Sequence, residues 1–125
     1  MATKTLTATL GLSAENAVNG IFTLNASETD SLSYDDTAAS SATVSAVTGA
    51  GGTQILAKTV TKATYCYIKN LDTTNFVTLQ NDDAEDWGRL LPGEFAFFPI
   101  KGGVGFEVQA DTAACQIEYA LFQEV

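Results

Sequence analysis

The sequence predicts an all-β fold, an antiparallel β-sandwich or jelly-roll-like single domain, and three observations carry that prediction. Apolar side chains recur at every second position over long stretches of the second half: Val104, Phe106 and Val108 alternate with Gly105, Glu107 and Gln109. Cys115, Ile117, Tyr119 and Leu121 then alternate with Gln116, Glu118 and Ala120. Successive strand side chains point to opposite faces, so this period puts an apolar row inward and a polar row toward water. Turn signals separate such runs every 8 to 12 residues, the spacing of a sandwich. Finally, 125 residues with 46% hydrophobic and 17% charged side chains fit one globular domain able to bury its own core.

Residues 4 to 12 read as the first strand, with Leu6, Ala8, Leu10 and Leu12 on one face and threonines on the other. Residues 17 to 26 read as a second, bent at Gly20, and 30 to 34 as a short third. From Asp35 to Gly52 the text turns small and Thr/Ser/Ala-rich, which predicts an extended loop or arm with room for a short strand at 42 to 47. A helix there is disfavoured because no apolar face at 3.6 spacing develops. A loop so long inside a small domain usually has a function or is tied down by a neighbour.

Strands are expected again at 54 to 62, 64 to 70 and 75 to 80, the last two joined by a turn at Leu71–Thr74. Residues 81 to 86 (NDDAED) make a solvated hairpin tip before a strand at 87 to 91. Pro92-Gly93 is a turn dipeptide, proline presetting φ and glycine admitting φ > 0. The strand at 94 to 100, the Lys101-Gly102-Gly103 turn and strands at 104 to 110 and 114 to 123 complete the chain.

A net charge of −9, with six scattered basic residues, leaves no basic stripe and excludes nucleic acid as a partner. The chain has no apolar run of 18 residues, so no membrane partner is expected, and residues 1 to 17 lack the continuous apolar stretch of a signal peptide. Cys66 and Cys115 lie in expected strands and can face one core. Two buried reduced thiols from a cytoplasm are favoured over a disulfide.

Histidine is absent, which removes Ser-His and Cys-His nucleophilic catalysis. Two distant cysteines without imidazole cannot form an ordinary closed zinc site. The run Asp82, Asp83, Glu85 and Asp86 is the only carboxylate-rich loop, but it lacks the spacing of a calcium loop. A charged, soluble hairpin tip is therefore the favoured reading, with no cofactor and no metal. A sugar contact built from Trp87 beside Asp86 is the less favoured alternative to Trp87 as a packing residue. Gly49–Gly52 and Gly102–Gly105 lack the Lys-Ser/Thr ending of a phosphate loop and read as turns.

Phe95 and Phe97 share one face of their strand while Phe98 and Ile100 take the other. A strand apolar on both faces is covered on both, by its own chain or by a neighbour. Pro99 has no N–H for a ladder and puts this strand at a sheet edge or beside a bulge. Trp87, Phe95, Phe97, Phe98 and Phe122 are accordingly the candidate interface residues, and no catalytic residue is expected.

The stretch ATYCYIKNLDTTNFVTLQ, followed by RLLPGEFAFFPI and closed by VGFEVQADTAACQIEYALF, resembles small β-sandwich structural proteins of tailed bacteriophage virions. The likeness covers the second half of the chain and is a fold pattern without active-site residues. It implies a head decoration (cement) protein, made in the host bacterial cytoplasm and located in the virion. Its partners would be the major capsid protein or other virion proteins, and it would form a homo-oligomer, a trimer being favoured. The alternative within the same resemblance is a tail, fibre or baseplate component that binds a receptor or carbohydrate.

Overall fold

The computed structural model describes residues 3–14, 24–35, 40–49 and 52–124. Among the described residues ten strands follow one another: β1 (Thr3–Ala14), β2 (Leu24–Asp35), β3 (Ser40–Ala46), β4 (Thr53–Leu56), β5 (Thr64–Asn70), β6 (Val77–Gln80), β7 (Asp86–Leu90), β8 (Phe95–Ile100), β9 (Phe106–Ala110) and β10 (Cys115–Gln123). No helix occurs among the described residues. Strands β3-β10-β5-β8 form one four-stranded sheet and β4-β9-β6-β7 a second, while β1 and β2 form a separate two-stranded ribbon. All strand pairings are antiparallel, and the two sheets face each other as a sandwich.

The alternation in the sequence is what builds the core. Cys66, Ile68, Ile100, Cys115, Ile117 and Leu121 from the first sheet meet Val77, Leu79, Leu90, Phe106, Val108 and Ala110 from the second. Phe106, Ile68, Ile117 and Val108 are wholly buried, each contributing about 1.5–3 kcal/mol relative to an exposed side chain. Both cysteines are free and buried, and burial pushes the Cys66 thiol up to about 12.

Turns carry the chain between the sheets after nearly every strand. Leu91–Glu94 closes with Glu94 N donating to Leu91 O at 3.0 Å, and Gly93 sits at φ 81°, the left-handed value a Pro-Gly turn requires. Asn70, fully buried, ties this turn to the preceding one. Its Nδ2 donates to Asn75 O and Leu90 O, its Oδ1 accepts from Asp72 N, and its main chain bonds Gly93 and Glu94. Two backbone N–H groups bonded to Asp72, those of Asn75 and Thr74, hold its carboxyl below the usual carboxylate range.

Several expectations for the first half are corrected. Within the 35–52 segment the short strand expected at 42 to 47 is present, starting two residues earlier. Ser40–Ala46 is an edge strand of the first sheet, paired along β10 from Cys115↔Ala46 to Leu121↔Ser40, with Val44 and Ala46 turned to the core. In the β1–β2 ribbon, 24–35 is one continuous strand rather than the tail of one strand and a short second one. The expected strand at 17 to 23 lies outside the described residues. The strand expected at 54 to 62 stops at Leu56, after a bulge between Gln54 and Leu56, because residues 57 to 60 turn, with Val60 N donating to Ala57 O. As Pro99 requires, β8 is an edge strand.

Candidate functional site

The ribbon has two chemically distinct faces, because directly opposed residues in an antiparallel pair point the same way. Thr5↔Ser33, Thr7↔Ser31 and Thr9↔Thr29 make one face almost entirely hydroxyl, with Thr9 and Thr29 Oγ1 atoms 3.3 Å apart. Leu6↔Leu32, Ala8↔Asp30, Leu10↔Glu28 and Leu12↔Ala26 make the other face apolar with two carboxylates in it. Twelve residues per strand give a ribbon about 40 Å long.

The base of the ribbon is seated on the sandwich. Tyr34 bridges to Glu124 and meets the Phe122 ring edge-on at 5.1 Å, on the outer face of the first sheet. That outer face is unusually aromatic: Tyr65 and Phe97 stack at 6.2 Å, and Tyr67 donates to Glu118 Oε1 at 2.9 Å. Further along, a groove of about 990 Å³ is lined by Leu6–Leu12 of the ribbon and by Tyr67, Phe95 and Phe97 of the sheet. Its walls stay open to water: Phe95 is 70% exposed, Leu10 50% and Leu12 47%. Glu28 and Asp30 are the charged side chains lining it.

The five candidate interface residues thus separate. Phe95 and Phe97 line the groove, and Phe122 lies at its base beneath Tyr34. Phe98 turns the other way and packs against the core, edge-on to Phe106 at 5.3 Å. Trp87 belongs to neither group. A bulge between Leu79 and Gln80 shifts the register so that Gln80 faces Asp86 and Leu79 faces Gly88, leaving Trp87 as the extra residue. Bulges re-aim a side chain, and this one lays the indole over the mouth of the sandwich, edge-on to Phe98 at 5.1 Å and tilted on Phe106. Still 53% exposed, it borders a shallow pocket of about 360 Å³ with Asn81, Lys101 and Val104.

The acidic hairpin tip is ordered by its own hydrogen bonds. Asn81 Oδ1 accepts from Asp83 N and Glu85 N, and Lys58 Nζ pairs with Asp83 at 2.5 Å. Asp82 does not face solvent with its neighbours. It reaches back over the second sheet, accepting from Gln54 Nε2 at 2.9 Å and Lys58 N at 2.7 Å, which together hold its carboxyl low. Beneath it lies Glu107, a residue whose alternation predicts a solvent-facing side chain. The face is as expected, but the folded-back hairpin buries it, and that burial, with Asp82 adding to it, pushes the Glu107 carboxyl up. Among the described residues no group of three or more His, Cys, Asp or Glu side chains gathers as a metal centre.

Gly105 makes this closure possible. At φ 73° a Cβ there would stand 2.4 Å from Asp82 Cβ and 2.8 Å from both Leu56 O and Lys58 N. Gly105→Ala is therefore expected to cost about 3 kcal/mol, from left-handed strain plus backbone overlap that no side-chain rotation relieves. Chemical denaturation of the variant checks this; a loss under 1 kcal/mol would show that the hairpin sits elsewhere.

Comparison with protein-family models, curated proteins and solved structures finds no match to this chain.

Proposed function

We propose that this chain is a non-enzymatic virion structural protein, a head decoration protein that binds the capsid shell and works as a homo-oligomer. The observation that carries the reading is the open groove between the β1–β2 ribbon and the aromatic outer face of the first sheet. Exposed aromatic and aliphatic walls of this kind mark protein-binding surfaces. The resemblance of residues 63–122 to small phage β-sandwich proteins supports the same reading, as does an acidic surface that keeps many copies apart until a specific contact overrides repulsion. On a shell, many such contacts add through the lattice, so each can be modest. The partner is the major capsid protein, and Glu28 and Asp30 favour a segment that brings Lys or Arg alongside apolar side chains.

Trp87 favours one second reading, a tail or fibre component, because a half-exposed indole beside Asn81 offers a stacking platform for a sugar ring. Quantitative mass spectrometry of purified particles of the virus encoding this chain separates the two. Decoration predicts a copy number comparable with the major shell protein. A few to tens of copies would move the protein to the tail and make Trp87 the residue to mutate, and no copies would refute both.

A further inference from the structure

We propose that the Asn81–Glu85 hairpin closes over a site for a hard divalent cation, calcium or magnesium, held by Glu107 Oε2, Gln80 Oε1 and the Asp82 carboxylate. Glu107 is 7% exposed and Gln80 3%, and neither Glu107 Oε2 nor Gln80 Oε1 has a hydrogen-bond partner among the described residues. A buried oxygen left unpaired costs about 1–3 kcal/mol, more for a charged group, so two such oxygens call for an occupant. The residues that carry them are neighbours: Gln80 and Glu107 are direct cross-strand partners on β6 and β9, which sets their Cβ atoms about 5 Å apart on the same face. The amide nitrogen of Gln80 is already committed, donating to Asp86 Oδ1 at 2.7 Å and Gln109 Oε1 at 3.0 Å, so turning the amide over would cost both bonds.

Asp82 adds a second carboxyl in hydrogen-bonding contact with Glu107. Two carboxyl groups in contact need a proton or a cation between them. A single proton cannot serve the whole cluster. Placed between Asp82 and Glu107 it leaves the Glu107 and Gln80 oxygens bare; placed on Glu107 Oε2 it leaves two carboxyl oxygens opposed. A hard cation serves all of them, since calcium and magnesium take carboxylate, amide carbonyl and water oxygens together. Lys58 Nζ, which reaches this loop, is engaged by Asp83. With three protein groups and water completing the shell, affinity belongs at the weak end of calcium sites, about 10⁻⁴–10⁻³ M. Bound there, the ion would fasten the hairpin to the second sheet beside Trp87.

The test is calorimetric titration of the EDTA-stripped full chain with calcium chloride and, separately, magnesium chloride at pH 7. Thermal unfolding is recorded with and without 10 mM of each salt, an excess of about ten-fold or more over the expected Kd. One saturable site per chain and a raised Tm are expected. Glu107→Gln should weaken binding at least ten-fold and remove the Tm gain, whereas Asp111→Asn, which deletes the same charge from an exposed turn, should keep both. Absence of saturable binding for both ions would overturn the site. So would equal losses in the two variants, which would mean diffuse attraction to an acidic surface. A Glu107→Gln protein that is more stable than the parent and indifferent to salt would instead assign the cluster to a proton and water. Should Glu107→Gln not fold, terbium luminescence of the unmodified chain decides: signal displaced by calcium supports the site, and its absence refutes it.

Discussion

Asn70→Ala is expected to lower the unfolding free energy by about 3–4 kcal/mol, a large part of the 5–15 kcal/mol typical of a domain. The side chain is fully buried and spends every polar atom: two donated bonds to Asn75 O and Leu90 O, and one accepted from Asp72 N. Alanine leaves three backbone groups without their partner and opens a cavity between two turns. Each backbone group so stranded costs about 1 kcal/mol or more. The loss extends beyond one contact, because the same residue's main chain anchors Gly93 and Glu94 and so fixes where β8 enters its sheet. Urea unfolding should show a lower midpoint with an unchanged slope. A shift below 1 kcal/mol would mean that water satisfies these turns and that Asn70 is not their tie.

The second half of the fold was legible because most of its strands are one-sided. Apolar and polar positions alternate in β9 and β10, and Pro92-Gly93 names its own turn, so these strands and their inward faces could be read directly. The ribbon was harder for a physical reason. In β2 the residues Asn25, Ser27, Thr29, Ser31 and Ser33 form one face while Glu28 and Asp30 interrupt the other, so no clean apolar row marks the strand. The short strand inside the 35–52 segment was only faintly legible because its residues are small; it forms because β10 offers it a free edge and Val44 and Ala46 reach the core.

Long-range effects hid the site residues. Phe95 and Phe97 were visible as a doubly apolar strand, but nothing local says that the ribbon lines a groove with them. Trp87 is displaced by a bulge, which breaks the period that sequence reasoning relies on. Glu107 and Gln80 sit on the polar face where alternation puts them, yet a hairpin more than twenty residues upstream of Glu107 folds over and buries them. Gly105 within the β9 approach is the one local hint, since a glycine next to a strand often marks a close backbone approach.

The groove gives the largest functional effect, and it rests on the head decoration reading. Phe95→Asp combined with Leu12→Asp is expected to weaken attachment to capsid shells 100-fold or more, about 3 kcal/mol, in a co-sedimentation assay with shells lacking the protein. Both walls are solvent-exposed in the isolated chain, so their removal should leave Tm nearly unchanged, which separates lost binding from lost fold. The substitution deletes apolar contact area from both walls and puts a hydrated carboxylate where the partner's apolar side chains would pack, beside Glu28 and Asp30. A binding segment with Lys or Arg would tolerate the added charge better than an apolar one, so the reciprocal change sharpens the test. Glu28→Lys with Asp30→Lys, which keeps the apolar walls, should weaken binding and flatten its salt dependence when the occupant is basic. Trp87→Ala lies outside the groove and should attach like the parent chain. Attachment that survives both groove variants but fails with Trp87→Ala would move the shell-binding surface from the groove to the mouth of the sandwich.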